Sequence, residues 1–479
     1  MLRCVTLTAE KDSDKLVKIR ENLQWIDAVE IRLDLCSRPN SRFIASVLEI
    51  APSTVILTYR RTEDGGVKKV SEEQRLDLIE TLLQPGISYI DLEYGLVAPR
   101  IEKKARKLGI KIIRSLHDFD GVPSKMSNLI EKIAAEGEIP KIACFPRSSR
   151  EVQEMLNAVE RTAHIQEKIV LGMGAFGFFT RVAPILCGSM LTFCSDGERE
   201  GAPGQISARQ LEEVYRISAQ DADTVYYGII GNPVLHSESP RIHNKWFAEE
   251  GMNAVYIPFQ VDDVDLFMKT ASQLGVRGFS VTVPHKQQII DCLDQVEPAV
   301  RSIGSCNTVI RTDAGWYGGN TDYEGFLNPL RKGDLLKPGA RALVVGAGGV
   351  ARTVVYALGW AGLEVTLVNR TDEKAKDLAG ETGAHFHPVQ EDLEQGCFYL
   401  VVQTSSAGMA PHTDVDPLPG YSFCGSELVY ELIYAPEKTL FSERAAAAGC
   451  RVIGGREMLH AQAVLQFELF SSVYNLEAE

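Results

Sequence analysis

The first residue in this chain that asks for a chemical role is a lysine inside an apolar, β-rich run. Lys141 stands in PKIACF at 140–145. Burial disfavours the charged form of such a lysine and lowers its pKa. A neutral amine can attack a ketone and form a Schiff base. The iminium then withdraws electrons, and the neighbouring C–H becomes acidic enough for a histidine to remove. His117, at the end of IKIIRSLH (110–117), is the candidate base. Glu30 and Arg32 share parity in AVEIRLD (28–34) and project to one side, with Ile31 and Leu33 on the other. Arg60 ends STVILTYR (53–60), Arg181 follows KIVLGMG (168–174), and Gln205 closes the run Ala202-Pro203-Gly204-Gln205. Together the three arginines would clamp a small anionic substrate. Taken singly, each charged residue reads more readily as a solvated strand end or a salt bridge; a lysine inside an apolar strand is harder to dismiss in that way.

A second set lies past residue 225. GIIGNPVLHSESPRIHN (228–244) places Ser237 and Ser239 just before a helix, where two hydroxyls can cap it or bind a carboxylate. Lys286 ends the strand GFSVTVPHK (278–286), and Asn307 and Asp322 fall on loops in GSCNTVI (304–310) and GGNTDYEG (318–325). An isolated Lys–Asp pair is usually a surface salt bridge worth little. In a cleft it passes a proton to or from a substrate oxygen. Gly346-Ala347-Gly348-Gly349-Val350-Ala351 follows the apolar strand LVV and opens a helix, which is the context a dinucleotide-binding turn requires. The next strand ends at Val368 and runs into Asn369-Arg370-Thr371, with Lys374 nearby. An acidic residue there would hold the ribose hydroxyl of NAD; this basic turn suits the 2′-phosphate of NADP.

The elements that must position these residues can be read from the alternation along the chain. Its 479 residues ask for two to four domains. Over the first ~220 residues, eight β-rich runs (2–8, 28–34, 53–60, 88–94, 110–117, 140–145, 168–174 and 185–193) alternate with helical stretches such as Pro99–Leu108 and Ser148–Thr162. That count, with no Gly-rich phosphate loop among them, predicts a closed (β/α)8 TIM barrel rather than an open sheet. Ser207–Ala219 reads as a helix and Gln220–Thr224 as a linker; VYYGIIG then begins a mixed α/β region at 225. The segment from 341 is a βαβ dinucleotide-binding unit, and an amphipathic helix runs from about Glu457 to Leu476.

Charge and cysteine usage narrow the function class. The net charge of −14 argues against nucleic acid. Residues 1–225 carry 31 Lys+Arg against 33 Asp+Glu, a net of −2, and residues 226–479 carry 19 against 31, a net of −12. Any anion bound by the second half must therefore be held by local groups. The 10 cysteines form no CxxC pair, which fits neither a zinc site nor a disulfide framework and points to reducing cytosol. His385 and His387 form an H-x-H without partners at ligand spacing, so no metal is expected. No apolar run approaches the ~20 residues of a membrane span, and the opening MLRCVTLTAEKDSDK has no signal- or transit-peptide character. A cytoplasmic enzyme of small molecules, with oligomeric state open, is the expectation.

EIRLD (30–34), TYR (58–60), SLHDF (115–119), PKIACFP (140–146) and APGQ (202–205) resemble, in order, the motifs of type I 3-dehydroquinate dehydratase, over residues 1–216. The resemblance implies syn elimination of water from 3-dehydroquinate through a lysine imine, giving 3-dehydroshikimate. Lys141 would be the Schiff-base lysine and His117 the general acid/base. Glu30, Arg32, Arg60, Arg181 and Gln205 would be substrate contacts. Two positions depart from the family: Asp64 stands where a glutamate usually orients the histidine, and Gly201 where a serine often precedes APGQ.

The second set resembles shikimate dehydrogenase, over residues 225–479. That resemblance implies that Ser237 and Ser239 bind the shikimate carboxylate and that Lys286 and Asp322 form the catalytic pair. Thr282, Asn307, Tyr434 and Gln462 would contact the substrate. Gly346, Ala347, Gly348, Gly349, Val350, Asn369, Arg370, Thr371 and Lys374 would hold NADP, and QTSSAGM (403–409) would lie near the nicotinamide. Ser280 replaces the asparagine that many members carry before VTVP. The chain thus reads as a bifunctional enzyme of the shikimate pathway. Its expected parts are a barrel at 1–219, a substrate lobe at 225–330 with the helix 457–479 packed back on it, and a Rossmann NADP lobe at 331–456. An NAD-dependent quinate/shikimate dehydrogenase and a non-catalytic metabolite sensor are the rival readings.

Overall fold

The computed structural model describes residues 1–389, 393 and 398–478; residues 390–392, 394–397 and 479, which fall inside the expected Rossmann lobe and at the end of the expected closing helix, lie outside the described residues. The chain forms two compact units, Met1–Val276 and Arg277–Glu479.

The first unit opens with eight parallel strands: β1 (Leu2–Thr6), β2 (Ala28–Arg32), β3 (Thr54–Thr58), β4 (Tyr89–Glu93), β5 (Lys111–Asp118), β6 (Ile139–Cys144), β7 (Ile169–Gly172) and β8 (Leu191–Ser195). They run in the order β7-β6-β5-β4-β3-β2-β1-β8. β8 pairs with β1 from Leu2↔Leu191 to Thr6↔Ser195. The remaining seam is bridged by Met190 N donating to Lys168 O at 2.9 Å and Val170 N to Ser189 Oγ at 2.9 Å, so the barrel is nearly closed. Its interior is filled by Cys4, Ala28, Ile56, Ile113, Ala143, Leu171 and Phe193, the alternate residues that a pleated strand points inward.

Helices α1 (Asp12–Asn22), α2 (Ser41–Ile50), α3 (Glu72–Leu82), α4 (Pro99–Lys107), α5 (Met126–Ala135) and α6 (Ser149–Arg161) follow the first six strands, and two single turns, α7 (Gly174–Gly177) and α8 (Phe179–Val182), follow the seventh. The amphipathic pattern has physical ends: Ser71 caps α3 in a capping box with Gln74, and Pro99 opens α4. Two expectations shift. The eighth strand was expected at 185–193, but Pro184 opens a 3-10 turn to Cys187 and Gly188 is left-handed (φ 59°), so the strand begins only at Leu191. The helix expected at 207–219 ends at Glu213 as α9 (Ala208–Glu213), because Arg216 takes φ 50° and reverses the chain.

The first unit continues past the barrel with β9 (Val225–Gly231), α10 (Ser239–Glu249), β10 (Ala254–Gln260) and α11 (Val264–Gln273); β9 and β10 pair in parallel from Val225↔Ala254 to Gly231↔Gln260. Residues 225–276 pack on the barrel. Ser149 N at the start of α6 donates to Asp262 Oδ1 at 2.8 Å, and Gln153 Nε2 to Gln273 Oε1 at 2.6 Å.

The second unit takes up the chain within β11 (Val276–Val281) and continues through β12 (Gln295–Val296), α12 (Pro298–Ile303), β13 (Thr308–Thr312), β14 (Gly315–Gly319) and α13 (Asp322–Lys332). β13 pairs antiparallel with β11 and β14, and β12 lies parallel to β14. A second layer follows: β15 (Arg341–Val345), α14 (Gly349–Trp360), β16 (Glu364–Val368), α15 (Asp372–Thr382), β17 (His385–Phe386), β18 (Leu400–Gln403), β19 (Leu428–Glu431), α16 (Leu440–Ala447) and β20 (Arg451–Ile453). All six strands are parallel in the order β17-β16-β15-β18-β19-β20, the doubly wound dinucleotide-binding order whose crevice opens above β15 and β18. Apolar clusters cover both faces, which is why these strands read as continuous Val/Leu runs. The closing helix α17 (Gly455–Ala478) lies against α13 and β13.

Candidate active sites

Every barrel residue singled out by type and spacing lines one cavity of about 240 Å³: Glu30, Arg32, Arg60, Asp64, His117, Lys141, Arg181 and Gln205. Strand parity and strand ends place them, as a barrel with its site at the C-terminal mouth demands.

Lys141 does not stand in an apolar pocket by itself, as its strand suggested. Its Nζ donates to Asp91 Oδ2 at 2.8 Å and lies 4.1 Å from the Phe193 ring centroid. Asp91, buried on β4, also accepts from Arg60 Nη2 at 2.8 Å and from Ser115 Oγ at 2.6 Å. Burial alone would raise the Asp91 carboxyl, but the Arg60 guanidinium and the Lys141 ammonium outweigh it and hold the group well below the usual carboxylate range. His117 responds oppositely. Burial first, and then Arg60 and Lys141, push its imidazole well below the ordinary value, against a smaller pull from Asp91. The ring is therefore a neutral base. Among the described residues its Nδ1 has no hydrogen-bond partner. Asp64 lines the cavity but spends its carboxylate on Arg61, Nε to Oδ2 at 2.9 Å.

The three arginines differ in what they have left to offer. Arg32 is held by Asp34 through two bonds of 2.8 and 2.7 Å. Arg60 is held by Asp91 and Ser115. Arg181 is buried and, among the described residues, touches no carboxylate: Nη2 donates to Pro203 O at 3.0 Å, while Nε and Nη1 have no partner there. Burial lowers its pKa to about 10, with Glu200 partly opposing. An unpaired buried guanidinium is costly and becomes a receptor for an incoming anion. Glu30 is fixed by the hydroxyls of Thr6 and Thr58 at 2.8 and 2.9 Å. Gln205 Oε1 accepts from Gly201 N at 2.8 Å, and a Cβ on Gly201 would stand 2.8 Å from that same oxygen, so glycine here gives Gln205 its seat.

In the second unit Lys286 Nζ donates to Asp322 Oδ2 at 2.5 Å, with the side chains 13% and 8% exposed, so this is no surface salt bridge. Asp322 is the first residue of α13 rather than a loop residue; Asn320 Oδ1 accepts from its N–H at 3.0 Å and fixes the turn into the helix. The expected strand end at Lys286 moves back to Val281, because His285 N bonds to Thr282 O at 2.9 Å and closes a turn. Thr282 and Lys286 stay beside Asn307 all the same: Val281 N donates to Asn307 O, and Cys306 N to Lys286 O, both at 2.8 Å. Asn307 is locked to Thr321, Nδ2 to Oγ1 at 3.0 Å and Oδ1 from Thr321 N at 2.8 Å. Gln462 sits where α17 crosses α13, at Gly325, one turn past Asp322. Ser280 donates to Gln466 Oε1 at 2.8 Å and joins α17 to the β11–β13 edge. Tyr434 stands half-buried in the loop after β19. In the first unit Ser237 Oγ accepts from Ser239 N at 3.2 Å at the start of α10.

The glycine-rich turn has the shape of a phosphate cradle. Gly346 takes φ 121°, and a Cβ there would meet Thr404 Oγ1 at 2.5 Å; Gly348 and Gly349, at the start of α14, have no atom within 4 Å of their Cβ positions. The N-terminal amides of that helix are therefore open to an anion. Ala347 and Val350 are half-buried around the turn. Asn369 Nδ2 bonds to Thr371 O at 2.8 Å and shapes the next turn, on which Arg370, Thr371 and Lys374 are exposed. These residues fit a phosphorylated dinucleotide.

Sequence reasoning missed Asp91, Asp34 and Glu93. Two carboxylates of one parity inside the apolar run SYIDLEY were the available signal for Asp91 and Glu93. It also missed Gln403, buried and bonded to Ser405 O and Ala407 O at 3.1 and 2.9 Å, which folds the loop 404–408.

Three comparisons bear on these sites. Family models match residues 3–222 (type I 3-dehydroquinase), 229–309 (shikimate dehydrogenase substrate binding domain) and 333–397 (shikimate/quinate 5-dehydrogenase). The chain is 31% identical to the bifunctional 3-dehydroquinate dehydratase/shikimate dehydrogenase, chloroplastic, of Arabidopsis thaliana, over 93% of this chain and 78% of that protein. It is 40% identical to a shikimate dehydrogenase (NADP(+)) of Moorella thermoacetica, over 52% of this chain and 89% of that one. A crystal structure of shikimate dehydrogenase in complex with NADP+ superposes with a TM-score of 0.50 at 30% identity, covering 53% of this chain and 95% of that one.

Proposed function

Since the chain belongs to the family of bifunctional 3-dehydroquinate dehydratase/shikimate dehydrogenases, we propose that Lys141 is its Schiff-base lysine, His117 its general acid/base, and Lys286 with Asp322 its dehydrogenase pair. The enzyme dehydrates 3-dehydroquinate to 3-dehydroshikimate and reduces that product to shikimate with NADPH. The observation that carries the residue assignment is the meeting of Lys141, backed by the buried Asp91, and His117 in one cavity with a carboxylate-free Arg181.

In the barrel, Arg181 takes the substrate carboxylate, helped by Arg32, and Glu30 and Gln205 hold ring hydroxyls. Asp91 holds Lys141 in place; the neutral His117 imidazole takes the lysine's proton, freeing the amine to attack the ketone, and gives it back to the carbinolamine hydroxyl that leaves as water. Loss of water from the carbinolamine gives the imine. His117, neutral, removes the proton from the adjacent carbon and returns it to the departing hydroxyl on the same face. Asp64 keeps a carboxylate on the cavity wall and orients His117 for this step.

In the second half, Ser237 and Ser239 bind the shikimate carboxylate. Thr282, Asn307, Tyr434 and Gln462 surround the ring. NADP, when bound, supplies the hydride chemistry. Gly346, Ala347, Gly348, Gly349 and Val350 would seat its diphosphate, and Asn369, Arg370, Thr371 and Lys374 its 2′-phosphate. Lys286, oriented by Asp322, donates a proton to the substrate oxygen. Residues 1–219 form the dehydratase, 225–330 with the helix 457–479 the substrate lobe, and 331–456 the NADP lobe. The partners are small molecules. The charge of −14 supports the absence of nucleic acid. Free thiols at the described cysteines support a cytoplasmic setting. Among the described residues no helix is long and apolar enough to cross a membrane.

Borohydride reduction in the presence of 3-dehydroquinate tests the central assignment. Mass spectrometry is expected to find one adduct, on Lys141, and none in Lys141→Ala. An adduct on another lysine, or none in the wild-type chain, overturns it.

A further inference from the structure

We propose that the strands just past the barrel hold the dehydratase's Arg181 in place, so that Phe259 and Tyr226, on β10 and β9, are positioning residues for 3-dehydroquinate binding. The proposal rests on the reading of Arg181 as the ligand of the substrate carboxylate.

Arg181 does not stand on a barrel strand. Glu30, Arg32, His117 and Lys141 stand on barrel strands paired on both sides. Arg181 stands on α8, a single turn of Phe179–Val182, and one helical turn has little stability by itself. From the barrel, α8 receives Thr192 Oγ, which donates to Arg181 O at 3.0 Å, and Thr180 Oγ, which accepts from Gly172 N at 2.9 Å.

Further support comes from beyond residue 219, on both sides of Arg181. Two residues before it, the buried Phe179 ring meets Phe259 of β10 with centroids 5.6 Å apart and planes at 40°. Phe259 cannot retreat. Phe267 of α11 lies 5.3 Å behind it, and a Cβ on Gly228 of β9 would stand 2.7 Å from its ring. One residue after Arg181, Val182 O accepts from Gln220 Nε2 at 2.8 Å, and Gln220 Oε1 accepts from the Tyr226 hydroxyl of β9 at 3.1 Å, all buried. Both ends of the turn that aims the unpaired guanidinium are therefore clamped to the β9–β10 pair. A turn clamped at both ends holds the guanidinium where a bidentate carboxylate contact requires it.

The test measures KM and kcat for 3-dehydroquinate in the full chain. Phe259→Ala is expected to raise KM by about 3- to 10-fold with kcat within about twofold. Phe259→Leu should recover part of the loss. Tyr226→Phe removes only a hydroxyl and should move KM in the same direction by less; it keeps the test open where Phe259→Ala does not fold. In an Arg181→Ala background neither substitution should raise KM further. Unchanged KM in both variants, an equal fall of kcat, or the same KM rise without Arg181 overturns the clamp. Arg181→Ala with unaltered KM instead overturns the carboxylate assignment, and is read from that variant alone.

Discussion

His117 illustrates how much of a residue's chemistry is set by charges that its own sequence neighbours do not reveal. Its imidazole lies below the ordinary value because it is buried and faces Arg60 and Lys141. A base depressed in this way stays neutral, and able to accept a proton, at pH values where an exposed histidine is half protonated. The acid limb of kcat/KM for dehydration is therefore expected well below pH 6.5, the ordinary histidine value. A midpoint at or above about 6.5 in a pH–rate profile of the dehydratase would contradict the buried, neutral ring. The same shift has a consequence for stability. As pH falls through about 6.5 the unfolded chain takes up a proton at this position and the folded chain does not, so His117 draws stability down on the acid side. The sequence made His117, Lys141 and the arginines visible because a charge in an apolar run is conspicuous. It left Asp91 and Asp34 without a role, because what matters about them is the partner reached across a strand or two residues on. Nothing in one strand's sequence states its neighbour's register.

At the scale of elements, alternation and turn chemistry carried most of the fold, and errors gathered where a short local motif overrode the pattern. The Pro184 turn delayed the eighth strand, and the left-handed Arg216 cut a helix short. The crossing of α13 and α17 is a case that no pattern displays. Gly325 lies inside α13, where alanine would normally stabilise the helix by about 1 kcal/mol. Here a Cβ would stand 2.6 Å from Gln462 Cβ and 2.9 Å from Gln462 N, atoms of the facing helix that cannot swing aside. Overpacking of that kind costs about 1–3 kcal/mol, so the clash wins. Gly325→Ala is expected to lower stability by up to about 2 kcal/mol in denaturant unfolding. It should also raise the dehydrogenase KM for shikimate, since α13 begins with Asp322 and α17 carries Gln462. A variant as stable as the parent would show that the two helices have room to separate.

For the molecule as a whole, the two chemistries are built from separate residues. The barrel cavity is lined entirely from Thr6 to Gln205, and the Lys286–Asp322 pair and the glycine-rich turn belong to the other unit. Net charge is divided the same way. A nearly neutral first half gathers cations at one mouth. A second half of −12 relies on helix amides and an exposed basic turn to hold an anionic cofactor. Sites with no shared group should fail one at a time. Lys141→Ala is expected to abolish dehydration by several powers of ten while leaving shikimate oxidation by NADP within about twofold, and Lys286→Ala to do the reverse. The sharper measurement mixes the two variants and supplies 3-dehydroquinate with NADPH. Each chain then holds one working site, and 3-dehydroshikimate released by the Lys286→Ala chain must reach the Lys141→Ala chain through solution. Cofactor oxidation should resume after a lag that shortens as enzyme concentration rises, at a steady rate set by the slower half-reaction. A mixture that stays silent while each variant keeps its single activity would mean that the intermediate is not released, and the two sites would then have to be treated as one.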